Sequence, residues 1–388
     1  MKRILLALLE HFRNYCGLIK VARCGFPWEK TTKRALASVY TNCGTALAAT
    51  LLVGLPAAAQ NAAPEIWFTS ADTLKLPRDT YLGEVAGVAT NSKGDVFVFT
   101  RTGSPSASLG GSRTFAISGA TKLFEFDPAG NFIREIGRSL YGFLVAQQVR
   151  IDREDNIWAV DAYSGMVIKF NPTGSRVLML LGRKPESIDV PQPPPPAPRN
   201  GALPGAGAAQ DVFDRPADVA WDADGNIFVA DGIGDNTRIA KFTKDGVFAK
   251  SWGSKGTEPG QFAGVDSLAV DAQGNVYAAD SGNHRIQVFD NNGTFKTQIT
   301  NVGAPAALCL ATGAHPYLYS SDSNPVNDID SGGEIYKLEL DGTVVGKFGR
   351  AGKLPKEFGT LNEIDCRTPN QLYVAEIGNY RTQKLTLK

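Results

Sequence analysis

The eleven residues 221–231 (WDADGNIFVAD) return 49 positions later as 270–280 (VDAQGNVYAAD). Fainter copies stand at 90–100, 151–161, 310–320 and 365–376, so six copies occur at irregular spacings of 40 to 70 residues. A period in that range belongs to repeat arrays and propellers. Each copy opens on a short run of small and β-branched residues. It then meets a turn of Asp, Gly or Asn, where positive φ costs little, and continues into an aromatic-rich run. A second hairpin follows about ten residues on, at turns such as Asp127-Pro-Ala-Gly-Asn131, Thr243-Lys-Asp-Gly246 and Asp290-Asn-Asn-Gly293. Two hairpins make a four-stranded antiparallel sheet, and the helical period needed for alternating strands and helices is absent. The pattern therefore predicts an all-β fold, a six-bladed β-propeller with four antiparallel strands per blade. The last copy stops one strand short. Residues 65–70 (EIWFTS) supply a candidate that would lie outermost in the sixth sheet, close the ring and cover an exposed edge.

The first 59 residues differ in kind. They hold eight basic and two acidic residues, which leaves 32 basic and 37 acidic from residue 60 onward. Residues 44–59 (GTALAATLLVGLPAAA) follow Lys33-Arg34 and end in three alanines, the order of a secretory signal peptide. Sixteen residues interrupted by Gly and Pro are short for a membrane span, and no other apolar run approaches that length. We expect cleavage near Ala59 and a secreted or periplasmic protein with no integral membrane segment. The mildly acidic remainder lacks the positive field that nucleic acid requires. The expected organisation is a leader at 1–59 and a propeller at 60–388. Its blades fall at about 82–139, 142–183, 213–258, 260–301 and 304–352, with a sixth from 359–388 plus 64–70. A Pro/Gly-rich insertion at 184–212 separates blades two and three. Cys309 and Cys366 are the cysteines that outlast cleavage, and the sequence leaves open whether they pair or stay as core thiols.

Gly260-Gln-Phe262, Ser267-Leu-Ala-Val-Asp271, Gly274-Asn-Val-Tyr277 and Asn283-His284-Arg285-Ile286 together resemble the NHL repeat closely. Among NHL proteins the chain resembles most the propeller of peptidyl-α-hydroxyglycine α-amidating lyases. The stretches that carry the likeness are Glu84-Val-Ala-Gly-Val-Ala89 with Val96-Phe-Val-Phe-Thr-Arg101, and Phe213-Asp-Arg-Pro-Ala-Asp-Val-Ala220 with Val229-Ala-Asp-Gly232. The resemblance implies the propeller fold and an exported location. In that family three Pro-His pairs hold zinc, at places that here read Ala146-Gln147, Val265-Asp266 and Leu361-Asn362. All three histidines are missing. Glu363 takes the place of the acid that follows the third histidine, Ile233 replaces a tyrosine, and Arg101 keeps the arginine of blade one.

In a propeller the innermost strands start at one face, which places Ala86, Gln147, Ala217, Asp266, Ala306 and Asn362 around a channel mouth. The longest irregular segments, 101–121, 183–212 and 322–333, belong to the same face, and long loops on a rigid scaffold carry function. Gln147, Asp266 and Asn362 are candidates to hydrogen-bond a polar ligand or to give oxygens to a Ca²⁺ ion. As a zinc set they are poor, because zinc prefers imidazole and thiolate. The alternative is that they hydrate the mouth and bond one another. Arg101 is placed either to clamp a ligand carboxylate or to make an ion pair within the protein. Glu363 is the candidate general base. Asp231 with Arg238 and Asp280 with Arg285 read as structural pairs. His284 reads as a packing residue of the repeat. The expected function is a non-catalytic module, without a cofactor, that binds a small molecule, peptide or protein at the channel face. The rival is a divergent lyase-like or lactonase-like enzyme with a Ca or Zn ion in the channel, held by Asp266, Asn362 and Gln147 and assisted by Glu363. A third reading is a scaffold that docks proteins through the polyproline run at 191–198.

Overall fold

The computed structural model describes residues 63–102, 106–108, 114–116, 121–182, 212–325, 328 and 330–388. The expected leader, its cleavage point and, apart from Val212, the insertion at 184–212 lie outside the described residues.

Short strands follow the repeat. The first sheet is β2 (Glu84–Thr90), β3 (Val96–Arg101), β6 (Thr121–Phe126) and β7 (Phe132–Ile136); between β3 and β6 lies a two-stranded ribbon of β4 (Ser106–Ser108) and β5 (Thr114–Ala116). The second is β8 (Ala146–Ile151), β9 (Ile157–Asp161), β10 (Met166–Phe170) and β11 (Val177–Gly182). The third is β12 (Asp218–Trp221), β13 (Ile227–Asp231), β14 (Arg238–Phe242) and β15 (Phe248–Trp252). The fourth is β16 (Ser267–Val270), β17 (Val276–Asp280), β18 (Arg285–Phe289) and β19 (Phe295–Ile299). The fifth is β20 (Leu308–Leu310), β21 (Leu318–Asp322), β22 (Glu334–Leu338) and β23 (Val344–Phe348). The sixth takes β24 (Leu361–Asp365), β25 (Gln371–Glu376) and β26 (Arg381–Leu387) from the end of the chain. Its outermost strand is β1 (Phe68–Ala71), antiparallel to β26.

The turns explain the register. Asp222 accepts from the backbone N–H of Asp224 and of Asn226 at 3.0 and 2.9 Å, and Gly225 turns at φ 83°. Asp271 does the same for Gln273 and Asn275, at 3.0 and 2.8 Å. A carboxylate that satisfies two N–H groups of a tight turn fixes the hairpin, and glycine takes the left-handed position without a Cβ clash.

Each inner strand touches the next, from β2 through β8, β12, β16 and β20 to β24, and β24 touches β2 again. Apolar faces are buried between neighbouring sheets. Ala146, Phe99 and Phe143 pack between sheets one and two, and Phe262 and Phe289 between three and four. The cluster that joins sheets six and one contains Tyr373, Ala375, Val88 and Phe124. Burial of each such Phe or Val stabilises by about 1.5–3 kcal/mol. Six four-stranded sheets thus stand in a ring, as the repeat predicts.

Two details were not legible beforehand. The strand in sheet six starts at Phe68, whereas Ile66 N–H donates to Lys347 O at 2.9 Å and Lys347 N–H to Pro64 O at 2.8 Å, both in sheet five. The chain therefore runs along β23 before it steps across to β26, with Trp67 left 74% exposed at the step. Cys309 and Cys366 form a disulfide, with Cα atoms 6.0 Å apart, between β20 and the residue after β24.

Candidate functional site

Three neighbouring inner strands bulge where they begin: β24 between Leu361 and Glu363, β2 between Val85 and Gly87, and β8 between Ala146 and Gln148. A bulge leaves one residue unpaired and re-aims its side chain. The extra residues are Asn362, Ala86 and Gln147. The Asn362 amide donates one hydrogen bond to Ala86 O at 2.6 Å and another to Gln147 O at 2.9 Å, so it ties sheets six, one and two at the channel mouth. Asn362 and Gln147 are thus brought together. Asp266, in sheet four, is held elsewhere: its Oδ2 accepts from Ser281 Oγ and its N–H donates to Ala279 O at 3.0 Å. Burial, with Asp280 nearby, pushes the Asp266 carboxyl up to about 6 against the opposing Ser281 hydrogen bond.

An acid ends the second strand of five sheets. Asp161, Asp231, Asp280, Asp322 and Glu376 each accept an N–H from the loop that leads into their own inner strand, as Asp231 does from Asp214 at 2.8 Å. In three of them an arginine opens the next strand and pairs with the acid at 2.8–2.9 Å: Arg238, Arg285 and Arg381. Asp231 with Arg238 and Asp280 with Arg285 are the structural pairs that the sequence implied, and Glu376 with Arg381 adds a third. In sheet one the place of the acid is taken by Arg101. It pairs with Glu84 Oε2 at 2.7 Å and donates to Ala146 O at 2.9 Å, with 15% of its side chain exposed. The inversion puts a cation at the one sheet where the ring would otherwise repeat an acid. His284 is exposed at φ 53° where a one-turn 3₁₀ segment ends, so the packing role expected for it is not seen; the left-handed turn points it outward.

The ladder also shows where the long segments emerge. Gly182 pairs with Met166, Met166 with Asp161, and Asp161 with Ala146, so the chain leaves sheet two at the mouth where Ala146 starts. Arg101 opposite Glu84, and Asp322 opposite Glu334, place the two other departures at the same face.

Deeper in the channel sits a network that sequence reasoning missed. Arg150 on β8 reaches across the axis. Its Nε and Nη2 bond both oxygens of Asp218 at 2.9 and 2.6 Å, and Nη2 also reaches Ser267 Oγ at 3.1 Å and Leu308 O at 3.2 Å. Glu363 Oε1 lies 3.3 Å from Arg150 Nε, and its Oε2 accepts from Val88 and Val149 N–H at 2.9 and 3.3 Å. One arginine and one glutamate thus link all six sheets. Glu363 is fully buried in this network and does not stand at the mouth. Burial holds its carboxyl well above the ordinary range, against the pull of Arg150. The available signal was a pair of charged residues inside successive inner strands, Arg150 in Ala146-Gln-Gln-Val-Arg-Ile151 and Asp218 in Asp218-Val-Ala-Trp221.

Residues 262–289 match the NHL repeat family model. The fold is a six-bladed propeller, and this one stretch, leading into and through its fourth sheet, resembles the NHL repeat. The chain is 29% identical over 270 residues to peptidyl-glycine alpha-amidating monooxygenase B of Xenopus laevis, an alignment that covers 63% of this chain and 28% of the frog protein. It therefore spans little more than a quarter of that relative. It is 28% identical to NHL repeat-containing protein 3 of Homo sapiens, over 68% of this chain and 72% of the human one. The peptidyl-alpha-hydroxyglycine alpha-amidating lyase 1 of Drosophila melanogaster is 26% identical over 78% of this chain and 57% of the fly protein. Among solved structures, a streptogramin B lyase superposes with a TM-score of 0.52 at 13% identity, over 83% of this chain and 98% of that one; the likeness is of fold.

The places at which lyase propellers are expected to hold zinc do not suit zinc in this propeller. Both N–H groups of the Asn362 amide are spent on backbone carbonyls, Asp266 accepts from Ser281, and no imidazole or thiolate is among the three side chains. Zinc selects imidazole and thiolate. Among the described residues no group of three or more His, Cys, Asp or Glu is arranged to hold a metal ion. No helix of the described residues is long and apolar enough to cross a membrane.

Proposed function

We propose that this propeller is an exported, non-catalytic binding module that takes a small molecule, peptide or protein at the mouth formed by the starts of its inner strands. The observation that carries the reading is the departure of all three long segments from that one face, around Arg101 in place of an acid. Rigid sheets with variable loops at one end are a scaffold for recognition. Against lyase chemistry stand the donor set at the mouth and the channel centre, where Arg150 already supplies the positive charge that Asp218 and Glu363 require. The Cys309–Cys366 disulfide supports an oxidising compartment, in keeping with the expected leader.

The test is to saturate the purified chain with zinc and then with calcium, dialyse, and assay bound metal and release of glyoxylate from a peptidyl-α-hydroxyglycine. We expect neither stoichiometric metal nor turnover. One bound ion with turnover, both lost in Asp266→Ala, would overturn the reading. In parallel, a chain without residues 184–210 and an Arg101→Glu variant should each lose any ligand that the full chain captures.

A further inference from the structure

The inner strands end at the opposite mouth, and there their second halves enclose a cavity of about 410 Å³. That volume lies within the range of small-molecule sites, about 300–1,000 Å³. Its walls are apolar, formed by Leu268, Val270, Leu308, Leu310 and the indole of Trp221. Its floor is Arg150. Nε and Nη2 of that guanidinium are engaged within the ring, whereas no described residue bonds Nη1, and 13% of the side chain is exposed. Nη1 is not among the fully buried unpaired atoms, so the exposed edge of the guanidinium faces the cavity. Two more arginines, Arg153 and Arg367, stand at the rim, and Arg153 is exposed.

The acids of the cavity are already committed. Asp365 accepts from Thr90 N–H and Thr90 Oγ1, both at 2.9 Å, and Glu363 takes two backbone N–H groups. The Arg367 guanidinium is engaged as well, with Asp155 at 3.3 Å and with the carbonyls of Ile151 and Asp152 at 2.8 and 3.0 Å, so Nη1 of Arg150 and the exposed Arg153 are the groups left to meet an anion. Apolar walls above a fixed guanidinium select an anion carried on an apolar body. A carboxylate would give one oxygen to Nη1, in a charge-assisted hydrogen bond, and its remaining charge would face Arg153. We propose that this second mouth is a binding site for a small organic carboxylate with an aromatic or branched aliphatic body. The site is separate from the loop-bearing mouth and does not depend on the role assigned to that face.

The test uses the full chain and three probes: 3-phenylpropionate, the equal-sized cation 3-phenylpropylamine, and acetate. At millimolar concentration 3-phenylpropionate should change tryptophan fluorescence and raise Tm, while the amine does neither and acetate acts much more weakly. Trp221→Phe should remove most of the fluorescence response but keep the Tm shift. Arg153→Glu, a change at an exposed rim position, should weaken binding about tenfold by replacing attraction with repulsion. Leu310→Trp should abolish binding by filling the cavity; if that variant does not fold, Arg153→Glu decides the matter alone. Equal responses to the acid and the amine, equal responses to acetate and the aromatic acid, no response to any probe, or wild-type affinity in folded Arg153→Glu would each overturn the proposal.

Discussion

At the scale of single residues, the channel is governed by how Glu363 enters it. A Cβ on Gly87 would stand 2.8 Å from Glu363 Oε2 and 2.6 Å from Val149 N, so this position admits glycine because a neighbour's carboxylate occupies the space. Gly87→Ala should therefore cost about 1–3 kcal/mol, measured by urea denaturation, although Ala has the better strand propensity. Arg150→Met should cost more, about 3–5 kcal/mol, because Asp218 and Glu363 would stay buried without their cation. A milder loss in that variant than in Gly87→Ala would refute the assigned hierarchy. Asp266 gives a pH test. Its carboxyl is raised to about 6 in the folded chain, so the folded state holds the proton more tightly than the unfolded one. The stability that this contributes is complete below the ordinary carboxyl range and fades as pH rises through about 6. Asp266→Asn cannot ionise, so its stability should be flatter between pH 4 and 7, and by pH 7.5 the variant should gain on the order of 1 kcal/mol over the native chain.

At the scale of elements, the sequence announces hairpins well because turns are local. Asp222 and Asp271 bond N–H groups two and four residues on, so the motif and its structural cause lie in one short segment. The Asp–Arg pairs of Asp231 and Asp280 were legible for the same reason, since each partner lies a few residues along. The Arg150 network was not, because its partners Asp218, Ser267, Leu308 and Glu363 come from four other sheets and meet only when the ring is formed. At the candidate mouth, the approach of Gln147 to Asn362 followed from the expected alignment of the inner strands. The withdrawal of Asp266 onto Ser281 did not, because nothing in its own strand signals it. Pairing of the two cysteines likewise depends on β20 lying beside β24, 57 residues apart in the chain. That loop length implies about 4 kcal/mol of stabilisation in the chain-entropy account. The Cys309→Ala, Cys366→Ala double variant should lose about 2–4 kcal/mol, and reductant should lower the Tm of the native chain but leave that of the variant unchanged.

For the whole molecule, the segment before sheet one makes contacts over a longer stretch than the single strand read from the sequence. Lys347 bonds Pro64 and Ile66, β1 pairs with β26, and Lys75 N–H donates to Gly130 O at 2.8 Å, so residues 64–75 contact sheets five, six and one in turn. Phe68 anchors this strap between the rings of Phe348 and Phe358, at centroid distances of 5.1 and 6.3 Å. The last sheet is therefore held from both sides by a segment that lies far from it in sequence. Phe68→Ala should cost about 3–5 kcal/mol, the usual loss for a buried Phe. Because the ring is joined between sheets six and one by the cluster around Tyr373 and Phe124 as well as by the strap, loosening the strap should expose that interface too. The expected calorimetric signature is an early transition in Phe68→Ala, assigned to sheets five, six and one, that precedes the main one. Hydrogen exchange should show it as faster exchange in β24–β26 and β2, with β12–β18 protected as before. Uniformly faster exchange in all six sheets would mean that the ring opens only as a unit, and that the strap stabilises the whole propeller equally.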